Sequence, residues 1–315
     1  MGCRGADRRH RTLPAVPAPR RAGLPPGGQF VRVLVTGASG FVGQAVTAAL
    51  AAHGHEVLGV ARSGVERPLD LCAEGAVETL LSGVSLGALV HCAAVPDIAP
   101  CRRDPVAAQR LNAHVPGLLA RGCAARGVRL VHVSTDQVFD GDAGPYREEH
   151  LPRPLHVYGQ TKWEGEQAVA AAHPGAALVR PGLVTGLAPP GRRSASTALA
   201  DALARAQAGR GPPAPMFTDE RRSPVAVGEL ALALVELVQR EQLSGLFHCG
   251  GPEALSRHEL ALREAEALGY PAELVGASTR AEAGLEAERP ADLSLDSARL
   301  VNALGWSPQA LVGVA

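Results

Sequence analysis

The 315-residue chain, 32.5 kDa, can bury one large α/β domain or a medium domain with a second lobe, so a small stapled scaffold is excluded. Hydrophobic residues make up 46% and charged residues 20%, the composition of a soluble globular protein, and 31 basic against 31 acidic side chains leave no net charge to hold a nucleic acid. The six cysteines, Cys3, Cys72, Cys92, Cys101, Cys123 and Cys249, show no Cys-x-x-Cys spacing, so neither a metal site nor a disulfide framework is expected and the chain reads as one from a reducing compartment.

Residues 1–29 carry six arginines against one aspartate among Pro and Gly, without apolar periodicity, and read as a disordered tail or a misassigned start. The basic N-terminus leads into the Pro-broken Leu13-Pro14-Ala15-Val16-Pro17 rather than an apolar signal core, and no later stretch is apolar for long enough to span a bilayer. A cytoplasmic protein with no membrane contact is expected. From residue 30 onward, short apolar runs alternate with helical patterns. Strands are predicted at 31–35, 57–60, 86–91, 130–133 and 177–180, and helices at 42–52, 77–81, 106–125 and 157–172. Such repeats predict a Rossmann-type α/β fold over 30–186, a doubly wound parallel sheet covered on both faces. After Gly186 the texture changes: Pro189-Pro190-Gly191 and Pro212-Pro213-Ala214-Pro215 flank a predicted helix at 196–208. A helix at 227–240, a strand at 245–248 and two more helical patterns follow. Residues 187–315 are read mainly as a smaller lobe, with segments near 225–250 returning to the first domain.

The first strand runs into Thr36-Gly37-Ala38-Ser39-Gly40-Phe41-Val42-Gly43 and then a helix. Glycines at 37, 40 and 43 allow a tight turn, close backbone approach to a pyrophosphate and close helix–strand packing, while the helix N-terminus favours an anion. The order strand, glycine turn, helix therefore predicts dinucleotide binding through Gly37, Ser39, Gly40, Phe41, Val42 and Gly43. At the end of the second strand, where an acid would select NAD, the chain has Arg62 and Ser63 instead. Both can hold a 2′-phosphate, so NADP(H) is favoured over NAD(H). Asp70 and Leu71, and Cys92, Ala93 and Ala94 after the third long strand, fall where adenine and ribose would be lined.

Of the 31 basic residues the only lysine is Lys162, four positions after Tyr158 and hence on the same helical face. Ser134-Thr135-Asp136 ends the fourth long strand, at the carboxyl edge where open parallel sheets bind ligands. An unperturbed phenol, near pH 10, is a poor acid or base at neutrality, and a fixed cation nearby shifts it toward use.

With the glycine turn, Thr135 and the Tyr-x-x-x-Lys pair in place, the chain resembles the extended short-chain dehydrogenases/reductases. Val133-Ser134-Thr135-Asp136-Gln137-Val138-Phe139-Asp140-Gly141, Pro154-Leu155-His156-Val157-Tyr158-Gly159, Gly165-Glu166-Gln167 and Arg289-Pro290-Ala291-Asp292 are similar to the dTDP-4-dehydrorhamnose reductase family, over roughly residues 31–310. The resemblance implies a smaller C-terminal substrate-binding lobe and NAD(P)H-dependent reduction of a keto group on a nucleotide sugar. It implies Tyr158 as proton donor, Lys162 on the nicotinamide ribose, and Thr135 on the carbonyl oxygen. It also makes Asp136, Arg221 and Arg222 candidate substrate contacts, the arginines for a diphosphate, and places Asn112 as either a spacer near the site or a satisfied helix amide. Two positions depart from the family pattern: Gln137 stands where relatives have Tyr, and Leu183 stands where an aromatic is common. The partner expected is a small molecule, a nucleotide sugar, with a homodimer left open. The alternatives are a sugar-nucleotide epimerase sharing the same catalytic set, and a non-catalytic NADP-binding regulatory subunit resembling the methionine adenosyltransferase beta subunit.

Overall fold

The computed structural model describes residues 31–308, so the tail read over 1–29 and the predicted domain start at residue 30 lie outside the described residues. The chain runs β1 (Arg32–Thr36), α1 (Phe41–Ala52), β2 (Glu56–Ala61), β3 (Arg67–Pro68), α2 (Ala76–Ser82), β4 (Ala88–His91), α3 (Ile98–Arg103), α4 (Pro105–Gln109), α5 (Val115–Ala124), β5 (Arg129–Val133), α6 (Val157–Ala172) and β6 (Ala177–Pro181). It continues with β7 (Val184–Thr185), α7 (Ala195–Gln207), β8 (Ala214–Phe217), β9 (Arg221–Arg222), β10 (Val225–Ala226), α8 (Val227–Gln239), β11 (Gly245–Cys249), β12 (Leu255–Ser256), α9 (Arg257–Ala267), β13 (Val275–Ser278), β14 (Asp292–Leu293) and α10 (Ala298–Leu304).

Seven parallel strands form the main sheet in the order β11-β6-β5-β4-β1-β2-β3. The order reverses beside β1, whose Leu34 pairs with Leu58 of β2 on one side and Leu89 of β4 on the other. In open parallel sheets the ligand crevice lies at such a switch point, above the carboxyl ends of the strands. β4 is buried at every position, which is why Ala88, Leu89 and Val90 read as an apolar run rather than an alternating one. On one face Val46 and Leu50 of α1 pack with Leu230, Leu234 and Leu237 of α8 and Leu300 of α10. On the other, Leu81 of α2, Leu119 and Cys123 of α5 and Val169 of α6 cover the sheet. Each such leucine contributes about 1.5–3 kcal/mol by leaving water.

The smaller lobe has its own core, Leu199 and Leu203 of α7 against Ala261 and Ala265 of α9 and Ala214 and Val275 of the paired strands β8 and β13. α9 starts at a reciprocal cap in which Ser256 and Glu259 satisfy each other's backbone N–H.

The single helix predicted over 106–125 is broken in the structure. Residues Arg110–His114 form a π-turn between α4 and α5, with the Val115 N–H reaching back five residues to the Arg110 carbonyl. Pro116 explains the break, because it has no N–H for the carbonyl of Asn112 four residues earlier. Gly165 of α6 packs onto that carbonyl: a Cβ at Gly165 would stand 2.2 Å from the Asn112 oxygen.

Candidate active site

The turn after β1 is shaped by contacts that only glycine tolerates. Gly37 has φ +69°, and a Cβ on it would lie 2.7 Å from the Ala93 nitrogen. A Cβ on Gly43 would lie 2.1 Å from the Gly37 oxygen, so the first turn of α1 sits directly on the loop. The Gly40 N–H donates to the Gly37 carbonyl at 2.8 Å, and no side chain caps α1 at Gly40, which leaves the N–H groups of its first turn facing the crevice. These features fit a pyrophosphate. Phe41 and Val42 offer backbone there, while their half-buried side chains pack inward, Phe41 under Gly186 and Val42 on the core. Arg62 and Ser63 are exposed on the loop after β2. The Asp70 carboxylate accepts the Cys72 N–H at 3.0 Å, and the Leu71 side chain is buried in the core, leaving its backbone for any ligand. Cys92, Ala93 and Ala94 lie half-buried along the crevice opposite Gly37.

α6 supplies the chemistry-bearing face. His156 caps it, its Nδ1 accepting the Gly159 N–H at 3.1 Å, and Pro174 follows its last turn. Tyr158, Lys162 and Glu166 recur every four residues and share one stripe. The Tyr158 hydroxyl is hydrogen-bonded to Thr135, and burial pushes its phenol above the usual range although Thr135 pulls the other way. This corrects the expected direction: in the protein alone, burial outweighs the Thr135 hydrogen bond, and the phenol stays protonated at neutral pH. Lys162 donates from Nζ to the Val133 carbonyl at 2.7 Å, and burial brings its ammonium down to about 8 against the opposing pull of Glu166. Glu166 in turn takes Arg180 at 2.9 and 2.6 Å and the Ser134 hydroxyl, a buried triad that fixes the floor under Lys162.

Asn112 is fully buried, and its amide holds Val95 through both N–H and carbonyl at 2.8 and 3.2 Å while donating to Thr161 at 3.2 Å. It ties the loop after β4 to α6 and so serves as a spacer between the two. Beneath the same site the His91 and His132 rings stack at 5.2 Å, and His91 Nδ1 lies 2.6 Å from the Thr36 hydroxyl. Burial first, then Lys162, lowers His91 to about 3, so the ring is neutral.

The substrate-side arginines sit differently from the reading as free clamps. Arg222 is buried and binds Asp136 bidentately at 2.9 and 2.8 Å, with Glu220 a further 3.5 Å partner. Arg289 holds the other side of Glu220 at 2.6 Å. Asp136 and Arg222 therefore engage each other first, because two buried charges left unpaired would cost far more than the pair. Arg221 is exposed, donates to the Ala254 carbonyl at 2.6 Å and lies 3.8 Å from Glu259. Gln137 lies between His156 and Arg222; with its amide turned so that nitrogen faces the histidine, its oxygen accepts from Arg222 at 2.7 Å. The sequence reading missed Glu166 and the Asn112 contacts. The four-residue spacing from Lys162 was the available signal for the first, and Pro116 for the second.

A family model for the RmlD substrate binding domain matches residues 31–311. The chain belongs to this family. Its curated relatives include the methionine adenosyltransferase 2 subunit beta of Pongo abelii, 34% identical over 279 residues, covering 85% of this chain and 81% of the relative. They also include the probable low-salt glycan biosynthesis reductase Agl14 of Haloferax volcanii, 32% identical over 286 residues, covering 88% and 93%. Among solved structures, the dTDP-4-dehydrorhamnose reductase of Bacillus anthracis in complex with NADP superposes with a TM-score of 0.79 at 23% identity, covering 89% of this chain and 96% of that one. A hypothetical dTDP-4-dehydrorhamnose reductase from Sulfolobus tokodaii gives 0.77 at 30%, covering 89% and 97%. The RmlD family is thus one of Rossmann-type extended short-chain dehydrogenases/reductases, and the seven-stranded sheet is its fold. Among the described residues no helix is long and apolar enough to cross a membrane, and no group of three or more His, Cys, Asp or Glu could hold a metal.

Proposed function

We propose that the chain is an NADPH-dependent reductase of a keto group carried by a nucleotide sugar. The observation that carries this reading is the meeting of Thr135, Tyr158 and Lys162 on one helix-and-strand edge beside the Gly37 turn. In this reading residues 30–186 hold the dinucleotide and 187–315 mainly the sugar nucleotide. Gly37, Ser39, Gly40, Phe41, Val42 and Gly43 present backbone to the pyrophosphate. Arg62 and Ser63 meet the 2′-phosphate, and Asp70, Leu71, Cys92, Ala93 and Ala94 line the rest of the groove. The bound nicotinamide supplies hydride to the carbonyl carbon. Thr135 holds the carbonyl oxygen, and Tyr158, kept protonated by its raised pKa, gives that oxygen a proton as negative charge grows on it. Lys162, fixed by the Val133 carbonyl, orients the ribose and offsets the phenolate that remains. The NADP complex named for the Bacillus anthracis relative supports the cofactor, and the reductase Agl14 supports the reaction class.

Incubation with nucleotide-linked 4-keto sugars and either NADPH or NADH, followed by loss of reduced-nicotinamide absorbance, tests the proposal. Tyr158→Phe should lower turnover by roughly 10²–10⁴-fold with NADPH affinity nearly unchanged. Normal turnover in that variant refutes the role, and formation of a 4-epimer with no net NADPH consumption makes the protein an epimerase. A second reading, a regulatory subunit without turnover, is favoured by the 34% identity to the methionine adenosyltransferase 2 beta subunit. NADPH binding without oxidation by any keto sugar, together with altered kinetics of a methionine adenosyltransferase catalytic subunit, would select it.

A further inference from the structure

The segment from Gly186 to Ser194 follows β7, which pairs with β10 beside the main sheet, and crosses to α7 in the smaller lobe. Its two ends are fastened side by side. The Gly186 N–H donates to Ser196 Oγ at 2.9 Å, Ser194 Oγ donates to the Gly186 carbonyl at 2.6 Å, and the Ala188 N–H donates to Thr197 at 2.8 Å. Gly186 rests on Phe41 in the first turn of α1, with a Cβ position 3.4 Å from its ring. The strap is therefore pinned above the phosphate-binding turn rather than loose in solvent.

Its tip is formed by Gly191, φ +77°, and Arg192, whose N–H closes a turn on the Pro189 carbonyl at 3.0 Å. Arg192 points from the smaller lobe back to the first domain. Its Nη2 lies 3.0 Å from the Cβ position of Gly64, and the Ser39 Cβ lies 3.6 Å from the same point. Gly64, φ +74°, is the residue directly after Arg62 and Ser63, and its missing side chain is what lets the guanidinium in. Arg192 is half-buried and pairs with no carboxylate among the described residues. Arg62, two residues before Gly64 on the same loop, is exposed and also pairs with no carboxylate among the described residues; it is close enough to Cys72 to oppose the rise of its thiol pKa. Two unneutralised guanidinium groups from different lobes thus belong to one stretch of surface, Arg62 by its place on the loop and Arg192 by its approach to Gly64 beside Ser39. Such a pair is suited to a dianionic phosphate, which accepts several charge-assisted hydrogen bonds at once.

We propose that Arg192 is a second cation for the 2′-phosphate of NADPH, joining Arg62 at the loop after β2, so that cofactor choice depends on a residue of the smaller lobe. This rests on the dinucleotide reading of the Gly37 turn.

The test compares dissociation constants for NADPH and NADH in the full chain, in Arg62→Ala, in Arg192→Ala and in the double variant, with Arg192→Gln as the version that keeps the stem if the alanine form is poorly folded. It adds thermal shifts produced by 2′,5′-ADP and by 5′-AMP, which differ in the 2′-phosphate and carry no nicotinamide. The expected result is about a tenfold weaker NADPH complex for Arg192→Ala, NADH affinity within twofold of the parent, and a 2′,5′-ADP shift reduced to that of 5′-AMP in the double variant. Unchanged NADPH affinity overturns the inference, as does an equal loss for NADPH and NADH, which would put Arg192 on the pyrophosphate. A parent chain that binds neither dinucleotide instead removes the reading beneath it, so the two failures are distinguishable.

Discussion

In the groove under the Gly37 turn, ligand-facing polarity comes from backbone N–H groups of an uncapped helix start, whereas at the junction with the smaller lobe it comes from charged side chains already matched to one another. Asp136, Arg222, Glu220 and Arg289 form a continuous chain of ion pairs linking the end of β5 to β9 and the stretch before β14. The contrast separates recognition from construction. Where the chain leaves donors unmatched it is prepared for an anion, and where it buries matched charges it is holding two parts of itself in register. Arginine-rich motifs alone do not distinguish these roles, because the distinction lies in whether a carboxylate arrives from elsewhere in the sequence.

The largest effect should follow removal of a matched charge. Asp136→Asn removes the bidentate charge partner of Arg222 and leaves the buried guanidinium with the neutral Gln137 amide and the longer Glu220 contact, and urea unfolding should show a loss of about 3–5 kcal/mol. A loss under about 1 kcal/mol would mean that the pair is not structural and that Asp136 is free for a ligand after all. Next comes the groove. Gly37→Ala forces a Cβ against the Ala93 backbone at positive φ, and should cost about 1–3 kcal/mol of stability while abolishing dinucleotide binding by titration calorimetry. Retained binding would break the argument that this turn is shaped for a ligand. The smallest effect concerns pH. Lys162 must be protonated to offset a phenolate, and its ammonium is lowered to about 8 by burial, so reductive turnover should fall as pH rises through that region, tenfold per unit at most. A profile flat to pH 10 would show that the charge on Lys162 does not assist the step.

Much of the larger domain was legible because the inner parts of its strands are buried on both faces, so that Val33, Leu34 and Val35, Ala88, Leu89 and Val90, and Leu130 and Val131 stand as apolar runs. Thr135, Tyr158 and Lys162 were legible for a different reason, since strand-end position and four-residue spacing are local properties. The break at Pro116 was local too, yet the apolar repeat from 106 to 125 masked it. Two-residue strands such as Arg67–Pro68, Arg221–Arg222 and Leu255–Ser256 carry too few side chains for a period to register. Least legible were partners far apart in sequence. Nothing near Arg222 announces Asp136, 86 positions away, and nothing near Arg192 announces Gly64.

The burial of Lys162 has a practical corollary. It is the chain's sole side-chain amine, only 2% exposed and engaged with a strand carbonyl. Acylating reagents, aldehydes and ester crosslinkers therefore find almost no side-chain target on the folded molecule. Covalent tagging of that amine becomes a clock for how often α6 lifts away from the strand beneath it.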